Sequence, residues 1–468
     1  MNTDMSGDEF RRFGHEVVDW IADYLENNRA LPVMPRIQPG ALEDALPAEA
    51  PEDGESMEQI LADFRSLILP AVNHWNHPRF HAYFSVSASA PGILGEMLSA
   101  ALNTNGMLWQ SSPANTELEM VVMRWLRQWL GLPDSFFGMI HDTASLSTMH
   151  AIAAARVAAA PGVRDAGAPA DLVVYTSEHA HSSIEKGALA LGMGRNQVRK
   201  IATDTQFRLQ PALLQAAITA DRAAGLHPCC VVSTVGTTAV TSVDPVGEIQ
   251  QIADAEGLWH HIDAAYGGPA ALLPEMRWML EGAERADSLV VNPHKWLFTP
   301  IDLSAFYCRR PDVLRQAFSL VPSYLRTDQD DRAVNLMDYG VPLGRRFRAL
   351  KLWFVMRWFG RRKVERILRS HIEWARELAA SIAADDRFEI CAPTPLSLVC
   401  FRLKGSDEAN RRLVEEINRS GFAFLAGNVL GGRFMLRLAI GHVRTTREDV
   451  QAVWARLQAL AASEVSAG

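Results

Sequence analysis

Apolar residues recur at three- and four-residue steps over Phe10, Phe13, Val17, Trp20, Ile21, Tyr24 and Leu25, which predicts an amphipathic N-terminal helix. Ser6 and Glu9 precede that run at capping-box spacing. A helix with this much aromatic surface must cover something, either its own domain or a second subunit. From about Ile37 to Glu55 the chain turns to Pro, Ala and acidic residues and reads as an extended connector. A second helical stretch follows from about Met57 to Val72.

The period then changes. Short apolar runs at Leu172–Tyr175, Cys230–Ser233, Leu258–Ile262, Ser288–Val291 and Ser304–Tyr307 read as buried strands. Helical patterns over His150–Ala159, Pro211–Ala224 and Val246–Ala255 lie between them. This alternation predicts an α/β fold, a mostly parallel central sheet with helices on both faces. Beyond about Arg346 the helical stretches Leu350–Trp358 and Val364–Ala383 lead into strand-like pieces near Leu396–Leu403 and Phe434–Ala439. A closing helix runs from about Arg447 to Ala462. That order predicts a smaller α+β domain. The expected division is an N-terminal helical segment over 1–87, a large domain over 88–350 and a small domain over 351–468.

Composition narrows the class. With 48% hydrophobic and 21% charged residues, a 468-residue chain can bury a large core without disulfide or metal staples. A net charge of −8 argues against a general nucleic-acid binder. The five cysteines form no C-x-x-C pair and read as thiols in a reducing compartment. Asp4, Asp8 and Glu9 stand where a signal peptide would be basic, and no run of about 18 apolar residues occurs. A cytoplasmic protein without a membrane span is expected.

Ligands of parallel sheets bind beyond the carboxyl ends of the strands, and three predicted strand ends deliver unusual residues. The run ending at Val291 delivers Asn292-Pro293-His294-Lys295-Trp296. A lysine held among apolar neighbours has its amine freed as a nucleophile, and carbonyl chemistry is its obvious use. The run ending at Ile262 delivers Asp263, then Ala264-Ala265-Tyr266. A carboxylate at that depth needs a cationic partner, and a protonated pyridine nitrogen would serve; the bland alternative is a turn-former. Asp263 and Lys295 are about one β-α-β crossover apart. The run ending near Tyr175 delivers Ser177 to Ser183, with His181 placed to stack on a ring or simply to bond locally. Asp142-Thr143-Ala144-Ser145 precedes an Ala-rich helical pattern, with Gly138 upstream to allow a tight approach. It reads as a phosphate-binding helix start or an ordinary N-cap. The clusters His179-x-His181 and His260-His261-x-Asp263 invite a metal reading. Adjacent strand side chains point to opposite faces, so no metal site is expected.

Taken in order, the segments resemble the group II pyridoxal phosphate-dependent decarboxylases, above all the aromatic L-amino acid decarboxylases. The resemblance rests on His74-Trp75-Asn76-His77-Pro78, Ser112–Glu119, Ala180-His181-Ser182-Ser183 and Gly236-Thr237-Thr238. It continues through His261–Tyr266, Asn292–Trp296 and Pro342–Arg348, and so spans almost the whole chain. It implies the fold of the aspartate aminotransferase-like (type I) enzymes, pyridoxal 5′-phosphate as cofactor, an amino acid substrate and a homodimer with interlocked N-terminal helices. It further implies that Lys295 carries the cofactor, that His181 stacks on its ring, and that Asp263 pairs with the ring nitrogen beside Ala265. Thr143, Ala144, Ser145 and Asn292 would hold the phosphate. Thr238 would lie near the ring substituents, and His294 joins the cofactor-facing set. Tyr324 matches a tyrosine that protonates the substrate carbon in the family. Trp75, Tyr83, Phe84 and Met107 match the substrate pocket. Departures at Ser85-Val86, at Met107 and at Thr299-Pro300-Ile301 fall near that pocket, so the resemblance leaves the substrate open. An oxygen-consuming aldehyde synthase, an aminotransferase, a decarboxylase of non-aromatic amino acids and an inactive binding relative stand beside it as alternatives.

Overall fold

The structure is a computed structural model that describes residues 4–320 and 333–467. The first helix, Gly7–Asn27, begins as the sequence predicts: Ser6 Oγ accepts from the Glu9 amide (3.2 Å) and the Ser6 amide donates to the Glu9 carboxylate (3.1 Å). The connector contains one short helical turn, Ala41–Ala45. The stretch from Met57 is regular α-helix only to Asp63, and then widens and tightens through Phe64–Ala71.

The central sheet has seven strands, β1 (Phe137–His141), β2 (Leu172–Ser177), β3 (Val198–Ile201), β4 (His227–Thr234), β5 (Trp259–Asp263), β6 (Ser288–Val291) and β7 (Ser304–Cys308). Their order is β1-β7-β6-β5-β4-β2-β3. Pairs β6-β5, β5-β4, β4-β2 and β2-β3 are parallel; β7 alone runs against its neighbours. The strands β2, β5, β6 and β7 are buried along their whole length, which is why they read as unbroken apolar runs.

The small sheet holds β8 (Phe388–Ile390), β9 (Leu398–Leu403), β10 (Ala426–Leu430) and β11 (Arg433–Ala439), all antiparallel in the order β10-β11-β9-β8. Alternation in β9 and β11 divides their side chains between two cores. Leu398, Cys400, Met435 and Ala439 pack into the core that also holds Ile262 and Trp296 of the central sheet region. Val399, Phe401, Leu436 and Leu438 pack outward with Leu413, Ile417 and Trp454 of the flanking helices. The two sheets therefore share a core on the side of the candidate site.

The helical stretches on either side of residue 360 stand as two helices within Arg348–Ala383, broken at Gly360, whose left-handed φ of 62° glycine adopts freely. One expectation needs correction. Gly138 lies inside β1, not at a phosphate loop; a Cβ there would sit 2.8 Å from the Tyr307 ring and 2.9 Å from Met123 Cβ. Its small size serves packing.

Nine histidines besides His294 are buried among the described residues. Burial is the leading cause that pushes His77, His81, His150 and His261 down to about 4, and His260 and His371 to about 3. The unfolded chain binds protons on these rings below about pH 6.5, whereas the folded chain does not, so stability falls as pH drops from about 6.5 towards 4. Each ring contributes a slope of up to about 1.4 kcal/mol per pH unit in that window. Asp244, raised to about 6 by burial, and Asp287, also raised by burial, oppose this. Urea midpoints measured at pH 7.5, 6.0 and 5.0 should decline steeply; a flat series would refute the account.

Candidate active site

One edge of the central sheet collects the carboxyl ends of its parallel strands. β5 ends at Asp263, whose parallel partner across the ladder is Thr234, the last residue of β4. β6 is followed by Asn292 and a single helical turn, Pro293–Trp296, that carries Lys295. The Asn292 amide donates to the Ala265 carbonyl (3.0 Å) and its carbonyl accepts from the Lys295 amide (2.9 Å), so the two strand exits are tied together. β2 leads into the turn bearing His181. β1 leads into Asp142 and Thr143, and Thr143 caps the helix Ala144–Ala159 with Oγ1 accepting from the Leu146 amide.

These segments enclose a cavity of about 220 Å³. Its wall includes Thr143, Ala144, Ser145, His181, Thr238, Asp263, Ala265, Asn292, His294, Lys295 and Phe84. Sequence reasoning left out four more: Ser183, Thr234, Gly236 and Tyr266. Gly236 (φ +90°) sits where a Cβ would be 3.0 Å from the Gly267 amide, so only glycine lets the two loops meet there. Arg437 of β11 was also missed. It is buried, and it donates to the carbonyls of Thr238 (2.6 Å) and Ala239 (3.0 Å), fixing that loop from the small sheet.

Trp75, Tyr83 and Met107 do not line the cavity of the single chain. Trp75 and Tyr83 stack on each other (5.6 Å between ring centroids, 14°) beside it, and Met107 packs with Leu108 and Met337. Tyr324 falls outside the described residues.

The electrostatics suit a reactive amine. Burial is the main cause that lowers the Lys295 ammonium's pKa; the Asp263 carboxylate pulls the other way and does not reverse it. The amine lies 5.6 Å from the centre of the Phe84 ring. Asp263 itself is fixed by the Ala265 amide, which donates to its Oδ1 (3.1 Å). The Ser183 amide donates to His181 Nδ1 (3.1 Å), so in the neutral ring Nε2 carries the hydrogen. Burial lowers the His181 pKa and keeps that ring neutral. His294 accepts from the Leu303 amide at Nδ1 (3.0 Å) and burial pushes it down to about 4. His260 and His261 are committed elsewhere, to Ser233 and Gln250 and to Ser288 respectively.

The donor set matches pyridoxal phosphate. Asn292 Oδ1 and Thr234 Oγ1 are buried polar atoms of cavity-lining residues with no hydrogen-bond partner among the described residues. A ligand seated in the cavity can complete their bonding. The start of a 16-residue helix offers free N–H groups and the positive end of its dipole to a phosphate. A carboxylate and an amine on the same wall can meet the ring nitrogen and the aldehyde carbon.

Comparison with known proteins agrees. The family model for the pyridoxal-dependent decarboxylase conserved domain matches residues 39–404. The aromatic-L-amino-acid decarboxylase of Bos taurus is 42% identical, with 99% of this chain and 98% of that protein aligned. The phenylacetaldehyde synthase of Arabidopsis thaliana is 39% identical over 97% of this chain and 96% of its own length. The crystal structure of Oryza sativa TDC with PLP and tryptamine superposes with a TM-score of 0.96 at 37% identity, covering 99% of this chain and all of that one. The chain belongs to the pyridoxal-dependent decarboxylase family. It is an amino acid carboxy-lyase that uses pyridoxal 5′-phosphate.

Asp244 underpins this wall. It is 1% exposed, accepts from the Thr234 amide (2.8 Å) and the Leu209 amide (2.7 Å), and has no ion-pair partner among the described residues. Asp244→Ala orphans two buried N–H donors, each worth about 1–3 kcal/mol, so about 2–6 kcal/mol of stability should be lost. Urea unfolding of the two proteins measures the difference; a loss below about 1 kcal/mol would contradict this role.

Proposed function

We propose that the enzyme converts an aromatic L-amino acid to its amine and CO₂. The observation that carries this reading is the Phe84 ring, which lines the cavity beside the buried Lys295 amine. Support comes from the relatives, which include an aromatic-L-amino-acid decarboxylase and a structure holding tryptamine. When bound, pyridoxal phosphate supplies an electron sink for the pair left behind by departing CO₂.

The chain's own residues divide the remaining work. Lys295, whose charged form burial disfavours, would hold the cofactor's aldehyde carbon and yield it to the substrate amine. Asp263, oriented by the Ala265 amide, would keep a proton on the ring nitrogen. His181, fixed by Ser183, would lie against the ring, and Ala265 would pack beside it. The helix start at Thr143, Ala144 and Ser145, together with Asn292, would hold the phosphate. Thr238 and His294 would complete the cofactor shell. Tyr324 would return a proton to the substrate α-carbon. Trp75, Tyr83 and Met107 would join the substrate pocket from the cavity's surroundings, with Phe84 keeping water from the amine.

A second reading, aldehyde formation with oxygen, is favoured by the similarity to phenylacetaldehyde synthase. Tyr324, a proton donor where a phenylalanine would be inert, weighs for the amine. One incubation with aromatic, acidic and aliphatic L-amino acids, scored for CO₂, amine, aldehyde and peroxide, separates these. Borohydride treatment of holoenzyme should add the cofactor's mass to the peptide containing Lys295 alone, and Lys295→Ala should abolish CO₂ release. Label on another lysine, or full turnover by Lys295→Ala, would overturn the assignment.

We further propose a cytoplasmic homodimer. No helix among the described residues is long and apolar enough to cross a membrane. All five cysteines are unpaired thiols, which suits a reducing compartment. An apolar groove lined by Val18, Ile21, Leu25, Ile93, Leu94 and Met97 lies between the helix Gly7–Asn27 and the helix Ala90–Leu102, with Phe10, Leu98 and Leu102 also exposed. Contiguous apolar surface of this kind calls for a partner surface, and a second copy supplies one by symmetry. Leu94→Glu should shift the protein towards monomer in sedimentation velocity; an unchanged dimer would place the interface elsewhere.

A further inference from the structure

A column of stacked rings runs from the cavity wall into the core shared by the two sheets. Phe84 lies face to face with Tyr266, 3.6 Å between ring centroids and 14° between planes. Tyr266 stacks on Trp296 at 4.9 Å and 6°. The Trp296 indole N–H donates to His371 Nδ1 (3.0 Å) on the helix that follows Gly360. The Tyr266 hydroxyl shares a 2.6 Å hydrogen bond with Ser397 Oγ at the edge of the small sheet. Phe84, Tyr266, Trp296 and His371 are all buried.

Two of these rings are chain neighbours of the chemistry. Trp296 follows Lys295, and Tyr266 follows Ala265. The column therefore touches the reactive lysine twice, through the backbone at Trp296 and through space at Phe84, 5.6 Å from the amine.

We propose that Tyr266, clamped between Phe84 and Trp296, is a positioning residue that holds the Phe84 ring as a fixed flat wall beside Lys295, so that the site selects substrates with a flat side chain. This rests on the decarboxylase reading for aromatic amino acids given above. A phenylalanine at the edge of a cavity has two torsions free to change. Stacking on Tyr266 removes that freedom, and the two faces bury each other's apolar surface. Tyr266 is itself held at both ends, by its hydroxyl at Ser397 and by the indole of Trp296. His371 completes the chain. Burial keeps it neutral, and its Nδ1 must stay an acceptor for the indole N–H to be satisfied.

A wall fixed this way has two consequences. A planar substrate ring meets a ready surface, so its binding is paid for in advance by the fold. The same ring keeps water from Lys295, whose amine is lowered mainly by burial.

The test compares full-length wild type, Tyr266→Leu and Tyr266→Phe. Cofactor-loaded Tyr266→Leu should raise KM for the preferred aromatic amino acid about tenfold or more, with kcat changed less than about threefold. Tyr266→Phe, which keeps the ring, should recover most of that loss. A purely structural role would lower the melting temperature and the loaded fraction and leave KM of the loaded enzyme unchanged, which overturns the proposal. Labelling of Lys295 by an amine-directed reagent in cofactor-free protein, followed by mass spectrometry at pH 8, reads the wall without turnover. The labelling rate should change about threefold in Tyr266→Leu, because the wall sets both the hydration and the reagent access of the amine. If the wild type releases no CO₂ from any aromatic amino acid, the functional reading fails. The labelling rate then decides the column, and an unchanged rate sinks it. Should Tyr266→Leu not fold, His371→Leu, which frees the far end at Trp296, carries the same expectations at smaller size.

Discussion

Everything at this site depends on one buried amine. A lysine in water is a cation and a poor nucleophile; the same group at the end of a buried strand loses the hydration that stabilises its charge. Asp263 pulls the Lys295 equilibrium back towards the charged form, and burial outweighs it. That balance is what the fold must maintain. The strand β6 places the lysine at the sheet edge, the bond between the Asn292 amide and the Ala265 carbonyl ties its turn to the exit of β5, and the ring of Phe84 lies 5.6 Å from its amine.

Parallel pairing explains why so many site groups converge. Because β2, β4, β5 and β6 run the same way, their last residues emerge on one edge, and the two reversals through β7 bring β1 back into the same direction. Segments far apart in sequence therefore deliver Thr143, His181, Thr234, Asp263 and Lys295 to one cavity. The small sheet closes the arrangement from the other side, since alternate residues of β9 and β11 enter the core beneath it and Arg437 grips the Thr238–Ala239 carbonyls.

Much of this was legible in the sequence because strands buried on both faces cannot hide. The runs that became β2, β4, β5, β6 and β7 are apolar along nearly all their length. The strands that escaped notice lie at sheet edges. β3 carries Arg199 and Lys200, β10 alternates between half-buried and exposed positions, and β1 contains Gly138, so none shows a continuous apolar signal. The same logic governs the site. Lys295, Asp263 and His181 stand out because an ionisable group after an apolar run is chemically odd. Thr234 and Ser183 do not, because a hydroxyl at a strand end or turn is ordinary; their place becomes visible only through register and hydrogen bonding. Gly138 misled for the converse reason: a glycine required by a neighbouring tyrosine ring reads, in one dimension, like a glycine required by a phosphate.

The unsatisfied atoms of the cavity give the fold and the cofactor a common thermodynamic footing. Asn292 Oδ1 and Thr234 Oγ1 are withdrawn from solvent without partners among the described residues, and the helix start at Thr143 presents N–H groups that its own backbone cannot use. Burying such groups lowers the stability of the folded chain by an amount that hydrogen bonds to a bound ligand can return. A ligand that binds only the folded state then stabilises it in proportion to its own affinity. The features that make the wall costly to hold, a dehydrated amine among them, are thus the ones that make it bind: that cost is offset by the molecule the wall is shaped to take.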